Sequence, residues 1–502
     1  MSKIYIDEMI FYIFLLSIIF VNTNNKIYRI PFGQHSYEYA FQSQVNCTNI
    51  IESIFYNIIY INLSFGSPPQ AIPFQLNINS DNFYVTNKYF FPNESNTFEF
   101  VSKQEEYFYN QDLKKGLKSK DYIYLDDVKK QIDFIYATEI NKINNIGNIG
   151  LLIPHSIKKG IYSFFLTLKK AGIINSYSFT LKYYSDISIL DTLYNYGKGG
   201  KNIGEFIIGD EPHNYEMDKT IYNESEIINV MALNDFDGVY WDIYFNNVYL
   251  NLKNDKFNDN NMEKMKVKGN HKAELNPDMG LIIGPYEIFS SINNIFFNKY
   301  KNICRKKQIN NTYYNYIECD KTDSFNISYF PDITLESIAF ETTFNLTYKD
   351  LFIFDKINNK YIFCLLNNRY VSDWILGAIF LRKYQFVFNV DKKIIGYYKS
   401  MNFYKNINYD NNIEFNNQKD QKENENTLKK DKNNIRDTDN YNNKKLIYII
   451  IIGIILFLIF FFFFILLRIL LHKKCFNNKR KKRVNELEDG INDISNDDNL
   501  LN

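Results

Sequence analysis

Two polar turns far apart in the chain hold the residues with the most chemical content. One reads Asn77-Ile78-Asn79-Ser80-Asp81 and the other Asn276-Pro277-Asp278-Met279-Gly280. Two carboxylates held close together can divide acid and base work, because both cannot ionise easily and one keeps its proton. Each turn does contain an acid, Asp81 or Asp278, but the two stand at different offsets from the asparagine that opens the turn. A symmetric carboxylate pair is therefore not expected from them. Asn77 and Asn276 are amides, which neither take a proton from water nor give one. The help of about 10²–10⁴-fold that a positioned proton-transfer group supplies is missing at both places. Neither a metal nor another cofactor is expected.

The elements that must hold these turns read as β-structure. Between residues 58 and 398, short β-branched and aromatic runs such as IIYINLSF, DYIYLDD, FIIGD and YQFVFNV alternate with Asn, Gly, Pro and Asp. Helical signals are few and short, around Tyr286–Phe296 and Tyr162–Lys170. Aromatics reach 17%, with 44 Phe and 41 Tyr, and the simplest reading is compositional bias filling neutral positions. A formal net charge of +1 gives no reason to expect a nucleic-acid partner.

Two apolar segments set the expected compartment. Met9–Val21 is short and followed by polar residues, the layout of a secretory signal within residues 1–24. Residues 446–467 form an uninterrupted apolar run long enough for a transmembrane helix. Behind it, at 468–502, lie Arg468, Lys473, Lys474 and the cluster Lys479–Arg483, the mark of a cytoplasmic tail. A single-pass type I membrane protein follows, with its ectodomain outside the cell or in the lumen of a secretory organelle. Residues 401–445 are polar and charged without apolar periodicity, and read as a disordered stalk. Four of five cysteines, Cys47, Cys304, Cys319 and Cys364, fall in the ectodomain, an even number suited to disulfides. Cys475, beside the membrane, reads equally as a palmitoylation site or an inert thiol.

Several segments, in one order, together resemble the pepsin-like aspartic proteases. Tyr60–Val85 (YINLSFGSPPQAIPFQLNINSDNFYV) is similar to the family's opening strand, Gly-Ser-Pro-x-Gln turn and first active-site loop. SNTFEF at Ser95–Phe100, then Tyr109, Gly116 and Asp121, resemble the segment leading to the flap and the flap itself. Gly147–Leu151 with Pro154, Gly204–Gly209, Tyr240–Ile243 and Phe330–Ile333 match further family segments. Ala273–Pro285 lies on the second active-site loop, and Trp374–Tyr397 closely resembles the family's closing sequence. Composition and insertions point to the plasmepsin branch.

The resemblance implies an all-β, bilobal fold with an interlobe cleft, carrying lobes at 58–215 and 216–400 behind an N-terminal arm at 25–57. It puts Asn77 and Asn276 where the family has its catalytic aspartates, so no catalytic residue is expected. It puts Ile78 and Pro277 where family threonines donate hydrogen bonds across the lobes; Ile78 has no hydroxyl, and Pro277 has neither hydroxyl nor N–H. Asn79 and Asp278 replace turn glycines. Tyr109, Ile78, Pro277 and Asp278 become the expected cleft and flap residues. Cys319 and Cys364 match the family's second-lobe disulfide, which leaves Cys47 and Cys304 as a candidate pair. Lys26–Phe32 is similar to the first strand of a prosegment, read here as a permanent structural strand. Three functions stay open: a non-catalytic protein binding a protein or extended peptide, an endopeptidase with an unusual dyad, and a structural membrane component.

Overall fold

The computed structural model describes residues 26–35, 50–55, 58–102, 106–107, 113–140, 146–152, 163–184, 202–235, 238–253, 263–267 and 269–400. The expected signal, stalk, transmembrane segment and tail lie outside these residues, as do Cys47 and Tyr109. Among the described residues no helix is long and apolar enough to cross a membrane.

Alternation builds the sheets. In Ile58–Phe65 every second side chain, Ile59, Ile61, Leu63 and Phe65, is buried, and a period of two puts them on one face. Gly66 then takes a φ of 87°, open to glycine without strain, and turns the chain into Gln70–Asn77 with Phe65 opposite Gln70. The outcome is a mostly β protein. Among the described residues one sheet of 14 strands runs from Ile227–Met231 at one edge, through the long hairpin Leu113–Leu125/Val128–Ile140, to Glu99–Phe100 at the other. Further sheets of eight, four and two strands are made from residue 233 onward.

The middle of the large sheet draws on both ends of the chain. Tyr28–His35 pairs on one side with Gly204–Ile208 and on the other with Ile58–Phe65. Ser178–Tyr183 follows, then Phe386–Asn389 and Ile394–Tyr398. The abundant aromatics fill the interior. Phe65 packs on Phe74 and Phe134 in the first half, with centroids 5.5 and 5.6 Å apart. Phe330, Phe352 and Phe363 do the same in the second half, at 5.1–5.2 Å. The two longest described helices, Phe164–Lys170 and Tyr286–Ile295, fall where the sequence signalled them.

The cysteine pairing differs from expectation. Cys304 is bonded to Cys319, and Cys364 is a buried free thiol. The reason is local. Cys304–Gln308 and Asn315–Asp320 form an antiparallel pair in which Cys304 stands directly opposite Cys319, with Cα atoms 4.0 Å apart. Cys319 faces Tyr361 on its other neighbour, so Cys364 lies three residues out of register for a bond to it.

Candidate functional site

The two asparagine turns occupy the same setting twice. Asn77 ends strand Gln70–Asn77, which runs parallel to Gly147–Gly150, while Phe83–Thr86 lies antiparallel on that strand's other side. Asn276 follows strand His271–Leu275, parallel to Trp374–Leu376, with Ile282–Gly284 antiparallel beside it. In each half the shared strand leads into a glycine wedged against the turn. A Cβ on Gly150 would stand 2.4 Å from Ser80 O, and one on Gly377 would stand 2.1 Å from Leu281 O. Main-chain bonds complete the seams, Leu151 N to Asn77 O at 2.8 Å and Ala378 N to Met279 O at 2.7 Å.

Within each turn the asparagine closes an Asx turn. Asn79 N donates to Asn77 Oδ1 at 2.9 Å, and Asp278 N donates to Asn276 Oδ1 at 2.9 Å. A short polar side chain bonding the backbone two residues on is a local alternative to a backbone turn. An N–H donor demands the carbonyl oxygen as acceptor, so each NH₂ group faces away from its own turn. Both asparagines are buried, and Ile78 and Pro277 beside them are buried too. Where the resemblance expects two titrating carboxyls, the chain presents two amides whose oxygens already hold the loops.

The two nearby aspartates sit in different surroundings. Burial pushes the Asp81 carboxyl up, opposed by a hydrogen bond from Asn82. Asp278 and Arg382 each act on Tyr183. Burial raises the Tyr183 hydroxyl, Arg382 opposes the rise, and Asp278 adds to it.

One carboxyl that sequence reasoning missed does sit at the asparagines. Asn276 Nδ2 donates to Glu274 Oε1 at 2.7 Å, and Asn79 from the first half lies near enough to act on the same carboxyl. Glu274 is two residues before Asn276, so strand alternation places both on one face. That signal was present in the sequence; the approach of Asn79 was not. Burial pushes the Glu274 carboxyl up, Asp242 directly across on the neighbouring strand adds to this, and the two amides and Lys272 oppose it. Lys272 Nζ itself lies 3.1 Å from Asp242 Oδ2.

Two further contacts bear on the site. Trp241 Nε1 donates to Leu151 O at 2.7 Å, tying the second half to the seam beside Asn77. Helix Ile50–Phe55 covers the second turn: a Cβ on Gly280 would stand 2.1 Å from Ile54 O, and the Phe55 ring lies 5.5 Å from that of Tyr314. A cavity of about 340 Å³ lies on the second half, lined by Tyr286, Phe289 and Lys301 among others, and includes neither asparagine turn. Among the described residues no cluster of three or more His, Cys, Asp or Glu could hold a metal ion.

A family model described as eukaryotic aspartyl protease matches residues 60–399. The comparison with curated proteins gave no match.

Proposed function

The chain belongs to the eukaryotic aspartyl protease family, and we propose that it is a non-catalytic member that holds a protein or an extended peptide instead of cutting one. The observation that carries this reading is the pair of matched Asx turns. Asn77 and Asn276 spend their oxygens on Asn79 N and Asp278 N, which leaves NH₂ donors where hydrolysis would need a base and an acid. Asn276 directs its NH₂ to Glu274. Family membership by itself argues for the scaffold and not for the reaction. The cleft between two lobes is the natural place for an extended ligand. The apolar run at 446–467 and the basic residues after it support a type I membrane anchor that presents this cleft outside the cytoplasm.

One observation favours a second reading, that of a structural membrane component. Helix Ile50–Phe55 lies on the Asn276 turn, with Ile51 and Ile54 buried, so the chain covers part of its own site.

The test uses the full-length chain in detergent against a peptide library from pH 4 to 8, scoring both cleavage and retention of intact peptide. Retention without cleavage is the expected outcome. Neither retention nor cleavage would favour the structural reading. Cleavage that disappears in Asn77→Ala or Asn276→Ala would make the protein an endopeptidase and end the proposal.

A further inference from the structure

We propose that the second half carries a separate binding site for an acidic sugar, a sugar ring bearing a sulfate or a carboxylate, between helix Tyr286–Ile295 and the hairpin Cys304–Gln308/Asn315–Asp320. The site includes neither asparagine turn, so it stands whether the cleft cuts, holds or does neither.

Helix and hairpin together wall the cavity of about 340 Å³. That volume is at the small end of the range of about 300–1,000 Å³ that small-molecule sites span. Phe289 and Phe297, both buried, give it an apolar floor. Cys304 lines it too, and its bond to Cys319 fixes that wall across the hairpin.

Strand alternation sorts the cations of Cys304–Gln308. Arg305 and Lys307 share one face, with Asp320 3.9 Å from the first and Glu318 3.0 Å from the second. Lys306 belongs to the other face, opposite Ile317, and lines the cavity with it. Lys301 joins it there. Among the described residues neither Lys301 nor Lys306 has an ion pair, and no Asp or Glu lines the cavity. Two ammonium groups with no acid to neutralise them select an anionic ligand.

The other polar groups suit hydroxyls. Ser290 lines the cavity, and its side chain has no hydrogen-bond partner among the described residues. Asn293 Nδ2 donates to Asn298 Oδ1 and Asn298 Nδ2 donates to Asn294 Oδ1, both at 3.2 Å. This ladder orients the Asn293 amide and leaves its Oδ1 to accept from a ligand. Tyr286, at the start of the helix, is 39% exposed and offers its ring as a platform. A sugar has hydroxyls around its edge and C–H groups on its face, so it meets serine, amide and ring at once. A plain aryl anion would leave the serine and the amide unmatched.

The experiment titrates the full-length chain in detergent by ligand-observed NMR. The probes are a sulfated N-acetylglucosamine, glucuronate, neutral N-acetylglucosamine and benzoate. At least one acidic sugar should bind at least about tenfold more tightly than the neutral sugar, the worth of one hydrogen bond to a charged group. Lys306→Ala should lose that preference. Lys307→Ala removes the same charge from the opposite face and should keep it. Both lysines are exposed, so neither substitution disturbs the fold. Binding by no acidic sugar, equal binding by the neutral one, or tighter binding by benzoate would overturn the proposal. So would equal losses in Lys306→Ala and Lys307→Ala, which would mean a generally basic surface and no site.

Discussion

Returning an acid to position 276 should destabilise the protein at neutral pH, and Asn276→Asp is the variant that shows why. The native amide does two jobs: Oδ1 accepts Asp278 N at 2.9 Å, and Nδ2 donates to Glu274 Oε1 at 2.7 Å. Aspartate keeps the first contact and turns the second into two oxygens facing each other. A lost hydrogen bond to a charged acceptor costs about 1.5–3 kcal/mol. Two unit charges about 4 Å apart at an effective dielectric of about 20 repel by about 4 kcal/mol. The pair escapes the full sum by binding a proton. Protonating a carboxyl of ordinary pKa at pH 7.5 costs about 4 kcal/mol, at 1.36 kcal/mol per pH unit, which caps the repulsive part. The loss expected at pH 7.5 is thus about 4 kcal/mol, shrinking to about 1 kcal/mol at pH 4.5, where the proton is nearly free. Denaturant unfolding of the full-length chain, read by tryptophan emission at both pH values, measures it. The Asn276→Asp/Glu274→Gln double variant restores an amide–carboxylate contact and should recover most of the loss. An Asn276→Asp variant as stable as the native chain at pH 7.5, or a double variant with no recovery, would refute the reasoning. The same contact sets which group an aspartate at position 276 would share a proton with: the carboxyl it would touch is that of Glu274.

Three more outcomes are expected. Gly377→Ala or Gly150→Ala forces a methyl to 2.1 or 2.4 Å from a main-chain oxygen that has no flexible end to yield, so each should cost at least about 1–3 kcal/mol in thermal unfolding; no change would mean the seams are loosely packed. Peptide mapping without reductant should recover Cys304 linked to Cys319, with Cys364 resisting alkylation until the chain unfolds because burial both shields its thiol and pushes its pKa up. Cys304→Ser should then lose about 3 kcal/mol, the scale for a loop of about 15 residues, and recovery of a Cys319–Cys364 peptide would contradict the register of the hairpin.

What could be read from the residues was mostly what local pattern encodes. The alternation in IIYINLSF gave a buried strand, and the Gly66–Gln70 turn and closing Trp374–Tyr397 segment gave the family. Ser95 and Asp121 were singled out only as matching positions. The structure joins them, with Ser95 Oγ donating to Asp121 Oδ2 at 2.7 Å and Thr97 Oγ1 to Asp121 Oδ1 at 2.6 Å. The cysteines were misassigned because a family pattern was followed where a hairpin register decided the matter, and Cys304 opposite Cys319 is a short-range fact. Glu274 was passed over for the opposite reason. Its face of the strand follows from alternation, but the approach of Asn79 depends on how the two halves meet.

The sheet that joins the halves has a consequence for synthesis. Its inner strand Tyr28–His35 leaves the ribosome early, yet one of its edges is satisfied only by Gly204–Ile208, and the same sheet is finished by Phe386–Asn389 and Ile394–Tyr398. Contacts so distant in sequence form slowly and leave strand edges exposed meanwhile. The nascent chain must therefore carry an open edge until residue 398 has been made, and a messenger truncated before that point would yield a first half with an unfinished sheet, a natural client for chaperones.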